Sequence, residues 1–240
     1  MPHSCFVTQV NNKVPVLRYR ILWLLGCIQN LISRHAQSLF QLIYSILIDS
    51  SSLRNNDISV KLCCIQLLET MVYEPVYNLP NLMQNPLQLI LSLYSTADLC
   101  QEPESQSQCL TAVSTVINSI MMRGNRIEVS IAKEIILPLL GLWKNSTHES
   151  IVLRRDVLTI VNSIFSVITN ANIEVLNVIV FPLLDATLDP INQNENSFLI
   201  GDALTLWLKL LRFNSTYESS FGLIYNRAQD IIIQGLEHVK

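Results

Sequence analysis

Apolar residues return along this chain every three or four positions, and the pattern itself returns about every 45 residues. The doublets Leu22/Leu25, Ile65/Leu68, Val113/Val116, Leu158/Val161 and Leu204/Trp207 follow one another at offsets of about 43 to 48 residues, the spacing of a two-helix repeat. Around them run stripes at i, i+3, i+4 and i+7. Leu17, Ile21, Leu24, Leu25, Ile28 and Ile32 form one. Ile58, Leu62, Ile65, Leu68 and Val72 form a second, and Val113, Val116, Ile117 and Ile120 a third. Such spacing is helical and excludes the two-residue alternation of a half-buried strand. A single helix pair cannot bury its own apolar face, so neighbouring pairs must stack. The expectation is an all-α chain, a right-handed α-solenoid of HEAT type with about ten antiparallel helices in about five pairs. The helices are expected near 17–33, 36–48, 57–73, 79–97, 105–122, 127–144, 149–169, 172–188, 197–213 and 216–236. An irregular segment over 1–16 precedes the solenoid over 17–240.

Punctuation supports these boundaries. Polar connections include Asp49-Ser50-Ser51-Ser52, Asn55-Asn56-Asp57, Gln101-Glu102-Pro103-Glu104 and the run from Asp189-Pro190 to Asn196, the residue types that break helices. Asp57 and Ser105 are placed as N-caps. Pro86-Leu87, Pro138-Leu139 and Pro182-Leu183 each sit in an apolar run. Proline inside a helix removes a backbone donor and bends it, so a shared curvature of the three first helices is expected. In this phase the chain opens on a lone second helix and closes on a lone first helix. Neither carries the polar outer face of a capping repeat, so a slice of a longer array is expected.

Composition narrows the function. Half of the 240 residues are hydrophobic and 15% are charged, against about 25% charged in an ordinary soluble domain. That excludes disorder as the main state. A net charge of −3 and the lack of a basic patch interleaved with aromatics argue against a nucleic-acid partner. No apolar run approaches the roughly 20 residues of a membrane span, and residues 1–16 do not read as a secretory signal. The six cysteines form no C-x-x-C pair, which suits reduced, mostly buried thiols in a cytosolic or nuclear protein. The sequons at Asn145 and Asn214 then have no role. Trp23, Trp143 and Trp207 sit in apolar stripes and are expected in the core.

Motifs of chemistry are absent. There is no G-x-S-x-G, H-E-x-x-H, G-x-G-x-x-G or G-x-x-x-x-G-K-[ST], so no nucleophile elbow, zinc helix or phosphate loop is expected. Six glycines are few for phosphate-cradling loops. The four histidines are isolated, and Asp156, Asp185, Asp189 and Asp202 do not cluster. No enzyme activity, cofactor or metal is expected. Arg154-Arg155-Asp156 is the densest charge on a helix. It reads either as an ion pair within the array or as guanidinium forks offered to a carboxylate or phosphate.

The order Arg18-Tyr19-Arg20-Ile21-Leu22-Trp23-Leu24-Leu25-Gly26, Asp57-Ile58-Ser59-Val60-Lys61-Leu62, Leu137-Pro138-Leu139-Leu140-Gly141-Leu142-Trp143, Leu153-Arg154-Arg155-Asp156-Val157-Leu158, Phe181-Pro182-Leu183-Leu184-Asp185 and Gly201-Asp202-Ala203-Leu204-Thr205-Leu206-Trp207 resembles the central HEAT repeats of the importin-beta superfamily of nuclear transport receptors, nearest the importin eleven type. The resemblance covers about residues 17–236. It implies a carrier that shuttles between nucleus and cytoplasm through nuclear pores. Such a carrier binds cargo proteins, the GTP form of the GTPase Ran and phenylalanine-glycine nucleoporins, with Ran-GTP and import cargo excluding one another. The amino-terminal repeats that hold Ran and the carboxy-terminal arch lie outside the resemblance, so the carrier function is expected of a parent protein. In that picture the second helices line the concave face. Lys61, Glu69, Lys209 and Arg212 on those helices, with Arg154 and Arg155, are the candidates to meet a partner. Two readings stay beside it: a generic HEAT or armadillo scaffold, such as a coat, phosphatase or ligase adaptor arm, and an all-α enzyme with a dispersed site.

Overall fold

A computed structural model describes residues 14–48, 57–73, 85–122, 124–145, 151–168, 174–188 and 197–214, together with residues 225, 226, 229 and 233. These residues are all-α. Nine helices are described: α1 Pro15–Cys27, α2 Gln29–Ile48, α3 Ile58–Tyr73, α4 Pro86–Leu99, α5 Pro103–Met122, α6 Val129–Asn145, α7 Ile151–Val167, α8 Glu174–Leu188 and α9 Ile200–Asn214. A short 3-10 turn, Ser197–Leu199, leads into α9. Most of the expected 79–84 and 216–236 stretches lie outside the described residues, although Tyr225, Asn226, Gln229 and Ile233 are helical.

Local chemistry fixes the starts. The Asp57 carboxylate accepts from the Val60 N–H at 3.1 Å and caps α3 as expected. Helix α5 begins at Pro103, so Ser105 lies inside it and is not its cap. Helix α1 begins with Pro15 at its first position, inside the stretch expected to be irregular. It also ends early. The helix expected over 17–33 stops at Cys27, where Ile28 takes φ −108° and ψ 76° and returns its N–H to the Leu25 carbonyl. The break expected before residue 36 survives as a single non-helical residue, His35, with φ −132° and ψ 22° inside α2.

The prolines divide. Pro138 and Pro182 lie inside α6 and α8. Pro86 does not bend a helix: it starts α4, behind an Asn85 cap whose side chain accepts from the Gln88 N–H at 3.2 Å. Proline has no N–H to lose at that position and its φ is already helical.

The chain divides into two compact units, residues 1–123 and 124–240. In the first, α3 packs against α1, α2 and α5, and α4 packs against α2 and α5. Leu22, Ile43, Ile65, Leu68, Leu89, Ile90, Val113 and Val116 form its core. Helix α1 turns Arg18, Leu22 and Leu25 inward. The expected stripe therefore fails at Leu17, Leu24 and Ile28, which are exposed. In the second unit, α7 packs against α6 and α9, and α8 against α6 and α9. Gly124 opens that unit at φ 71°, a left-handed conformation that suits glycine. A parallel β-bridge joins Ile127 to Ile168. Leu158, Val161, Phe165, Leu206 and Leu210 are buried there. The doublet expected on α9 is displaced: Leu204 is exposed and Trp207 partly so, while Ala203, Leu206 and Leu210 are buried.

Bonds between helices repeat the sequence period. In the first unit the Cys63 thiol donates to the Tyr19 carbonyl at 3.8 Å. Gln108 donates to the Leu62 carbonyl at 3.3 Å. The Ser92 hydroxyl donates to the Leu47 carbonyl. In the second unit Lys209 donates to the Asn162 carbonyl at 2.7 Å. Donor and acceptor are 44 to 47 residues apart in all four.

Candidate interaction surfaces

The six charged residues singled out by sequence do not form one open patch within either unit. Lys61 is 3% exposed on α3. Buried Arg18, one period earlier on α1, shares its role: both cations face the Cys64 thiol and oppose the rise in pKa that burial imposes on it. A lysine so placed serves packing inside the unit and presents no ammonium to a partner.

Glu69 lies half-buried on α3. One carboxylate oxygen has no hydrogen-bond partner, and its charge acts on the Cys109 thiol of α5. Burial pushes its pKa up to about 7, because desolvation disfavours the ionised form. The folded state then binds a proton that the unfolded chain has released, between the usual 4.5 and about 7. Stability from this group is complete below pH 4.5 and is lost as pH rises through about 7, by proton linkage. Glu69→Gln is expected to flatten that slope and to stabilise the unit at pH 8 by about 1–2 kcal/mol, allowing for solvent screening. Urea melts from pH 4 to pH 8 check it. A slope that persists in the variant belongs to another group.

The second unit commits its candidates to its own helices. Arg154 stands 5.4 Å from the Trp143 ring centroid, a cation–π contact that covers a tryptophan 8% exposed. Arg155 Nε lies 3.3 Å from Asp202 Oδ2, joining α7 to α9. Both ends of that pair meet water, so a double-mutant cycle of Arg155→Ala and Asp202→Ala is expected to give a coupling below about 1 kcal/mol. The coupling should shrink further in salt. Lys209 donates to the Asn162 carbonyl and, at 2.8 Å, to the Ser166 hydroxyl. Its burial lowers its pKa. Arg212 is exposed at the end of α9 and also has an interaction partner.

These contacts continue in residues that sequence reasoning passed over. Asn162 donates through Nδ2 to the Asp202 carbonyl at 3.1 Å, and Arg126 donates to the Ser166 carbonyl at 3.0 Å. The polar seam of α7 and α9 thus runs from Arg155 past Asn162 to Ser166. Its signal was present in the sequence: Asn162-Ser163 interrupts the apolar run of α7, and a polar group inside a core requires a partner.

An open cleft of about 420 Å³ lies in the first unit where α1, α3 and α5 meet. Tyr19, Asp57, Leu62, Cys63, Gln66 and Gln108 are among its walls. A smaller one of about 180 Å³ continues along α1 and α3, past Trp23, Gly26 and Thr70. Asp57 is already occupied as the α3 cap, and burial together with Cys27 pushes the Cys63 thiol up to about 11. A thiol so raised is a poor nucleophile at neutral pH. The described cysteines are free, with Cys27 exposed and Cys63, Cys64, Cys100 and Cys109 buried.

Among the described residues no three His, Cys, Asp or Glu side chains gather as metal ligands, and no helix is long and apolar enough to cross a membrane. Compared with known proteins, the chain matches no family model, no curated protein and no solved structure.

Proposed function

We propose that this chain is a binding protein without chemistry of its own, each unit a stretch of right-handed HEAT-repeat α-solenoid with antiparallel helix pairs, and that it serves in a nuclear transport receptor of the importin-beta type. One observation carries the repeat reading: helices one period apart in sequence pack together and are joined by bonds spanning 44 to 47 residues. A repeat array has this nearest-neighbour pattern. Supporting the absence of chemistry, the cleft of the first unit has a capping carboxylate and a high-pKa thiol, not a nucleophile beside a base. The transport reading adds the ordered sequence resemblance over residues 17–236. Under it, cargo proteins, Ran-GTP and phenylalanine-glycine nucleoporins are the partners, and the protein moves between nucleus and cytoplasm.

The test is capture from cell extract, with this chain and any longer product that contains it as bait, with and without Ran locked in its GTP state. Phenylalanine-glycine nucleoporins and a partner set that Ran-GTP displaces from the longer product are the expected result. A longer product that ignores both Ran-GTP and the nucleoporins overturns the transport reading. The generic scaffold reading then replaces it, since the packing of the helices supports that equally.

A further inference from the structure

The turn between α4 and α5 holds two thiols in contact. Cys100 is the C-cap of α4, and Cys109 lies on α5, which packs against α4. Both are free cysteines, and their side chains share a hydrogen bond. Cys100 is held from three sides. Its backbone N–H returns to the Ala97 carbonyl at 3.0 Å, its carbonyl accepts from Gln106 Nε2 at 2.9 Å, and its thiol donates to the Thr96 carbonyl at 3.2 Å. Gln106 and Cys109 are one turn apart on α5 and share a face. The bond that ties the end of α4 to α5 therefore also keeps the two sulfurs together. Cys63, by contrast, directs its thiol to the Tyr19 carbonyl, and Cys64 next to it projects from another side of α3.

We propose that Cys100 and Cys109 form a reversible oxidation site, Cys100 attacking and Cys109 resolving, which a hydroperoxide converts to a disulfide that staples α4 to α5. Cys100 is 6% exposed and Cys109 0%, so an oxidant reaches Cys100 first. Burial raises the pKa of both thiols, so little thiolate is present at neutral pH and the reaction is slow. Within the pair, the shared hydrogen bond lowers Cys100 and raises Cys109, the sense expected when Cys109 donates and Cys100 accepts. With hydrogen peroxide, the Cys100 thiolate attacks one oxygen and the O–O bond breaks. A sulfenic acid remains, and the departing hydroxide takes up the thiol proton as water. The Cys109 sulfur then attacks the sulfenic sulfur, the S–O bond breaks, and the hydroxyl leaves as water with the Cys109 proton. Two electrons pass from the thiols to the peroxide, and one disulfide and two waters result.

Peptide mapping of the full chain tests this. The reduced protein is treated with hydrogen peroxide, its remaining thiols are alkylated in denaturant, and a glutamate-specific protease cuts after Glu74, Glu104 and Glu128. Cys100 and Cys109 then fall in separate fragments, 75–104 and 105–128, each with no other cysteine. The expected result is these two fragments joined, about ten-fold or more above any other cysteine pair, because the fold holds the two thiols in place. Dithiothreitol should separate them, and the preference should vanish when the oxidation is run in concentrated urea. The order of attack is read with dimedone, which traps sulfenic acids. Cys109→Ser should accumulate the adduct at Cys100, and Cys100→Ser should give much less at Cys109. The map of the unsubstituted chain needs neither variant to fold. Both fragments recovered singly and alkylated while the exposed Cys27 oxidises, a predominant link through another cysteine, or more adduct at Cys109 than at Cys100 overturns the proposal. None of these outcomes bears on capture of Ran or nucleoporins.

Discussion

Replacing Trp143 by alanine is expected to lower the unfolding free energy of the second unit by about 3–5 kcal/mol. The indole is 8% exposed on α6, with the Arg154 guanidinium over its face. Truncation removes the largest side chain of that helix and leaves a void between α6 and α7, whose lining loses its contacts. Trp143→Phe should recover part of the loss, because a ring remains to fill the space. Arg154→Ala should cost far less, about 0.5–1 kcal/mol, as one cation–π contact does. Trp23→Ala is the contrast. It stands 53% exposed, and its loss should change the melt by no more than about 0.5 kcal/mol. Urea melts followed by far-ultraviolet circular dichroism at low concentration measure all four. A Trp143→Ala cost below about 1 kcal/mol would mean the indole is not packed as described.

Leu206→Ala is expected to cost about 2–5 kcal/mol, and Leu204→Ala less than about 0.5 kcal/mol. The two leucines are separated by one residue on α9, and both lie in an apolar run. Leu206 is 0% exposed, with Ala203 and Leu210 on the same face, while Leu204 is 45% exposed. Equal costs at the two positions would place α9 in a different rotation about its axis. The comparison is clean because both substitutions have the same helix propensity cost.

The rotation of α9 marks the limit of what the sequence discloses. Helical spacing finds the helices, and most boundaries agree within two or three residues. It cannot say which stripe is inward when a helix is apolar on more than one side. In α9 the alignment of doublets selected Leu204 and Trp207, whereas the buried stripe runs through Ala203, Leu206 and Leu210. Helix α1 fails in the same way, exposing Leu17, Leu24 and Ile28. Proline is equally ambiguous, because one residue serves as starter and as kink. Only the Asn85 cap distinguishes Pro86 from Pro138 and Pro182.

The charged candidates were legible as residues and not as roles. A lysine or arginine on a helix reads as solvated until its neighbours are known. Lys61 proves buried, Arg154 covers a tryptophan, and Arg155 and Lys209 bind α9 to α7. Each of these contacts depends on a helix about 40 residues away or on an adjoining one, which spacing along one helix does not encode.

Most of the described polar joints between helices one period apart share an asymmetry. In four of the described joints the donor is a side chain and the acceptor a main-chain carbonyl, those of Tyr19, Leu47, Leu62 and Asn162, whereas Arg155–Asp202 and Lys209–Ser166 join side chain to side chain. A carbonyl is supplied by any amino acid. In those four, mutation can reach only one half of the joint, and the residue beneath the other half is free to drift. A chain fastened in this manner can keep its architecture while its successive repeats lose all visible likeness to one another.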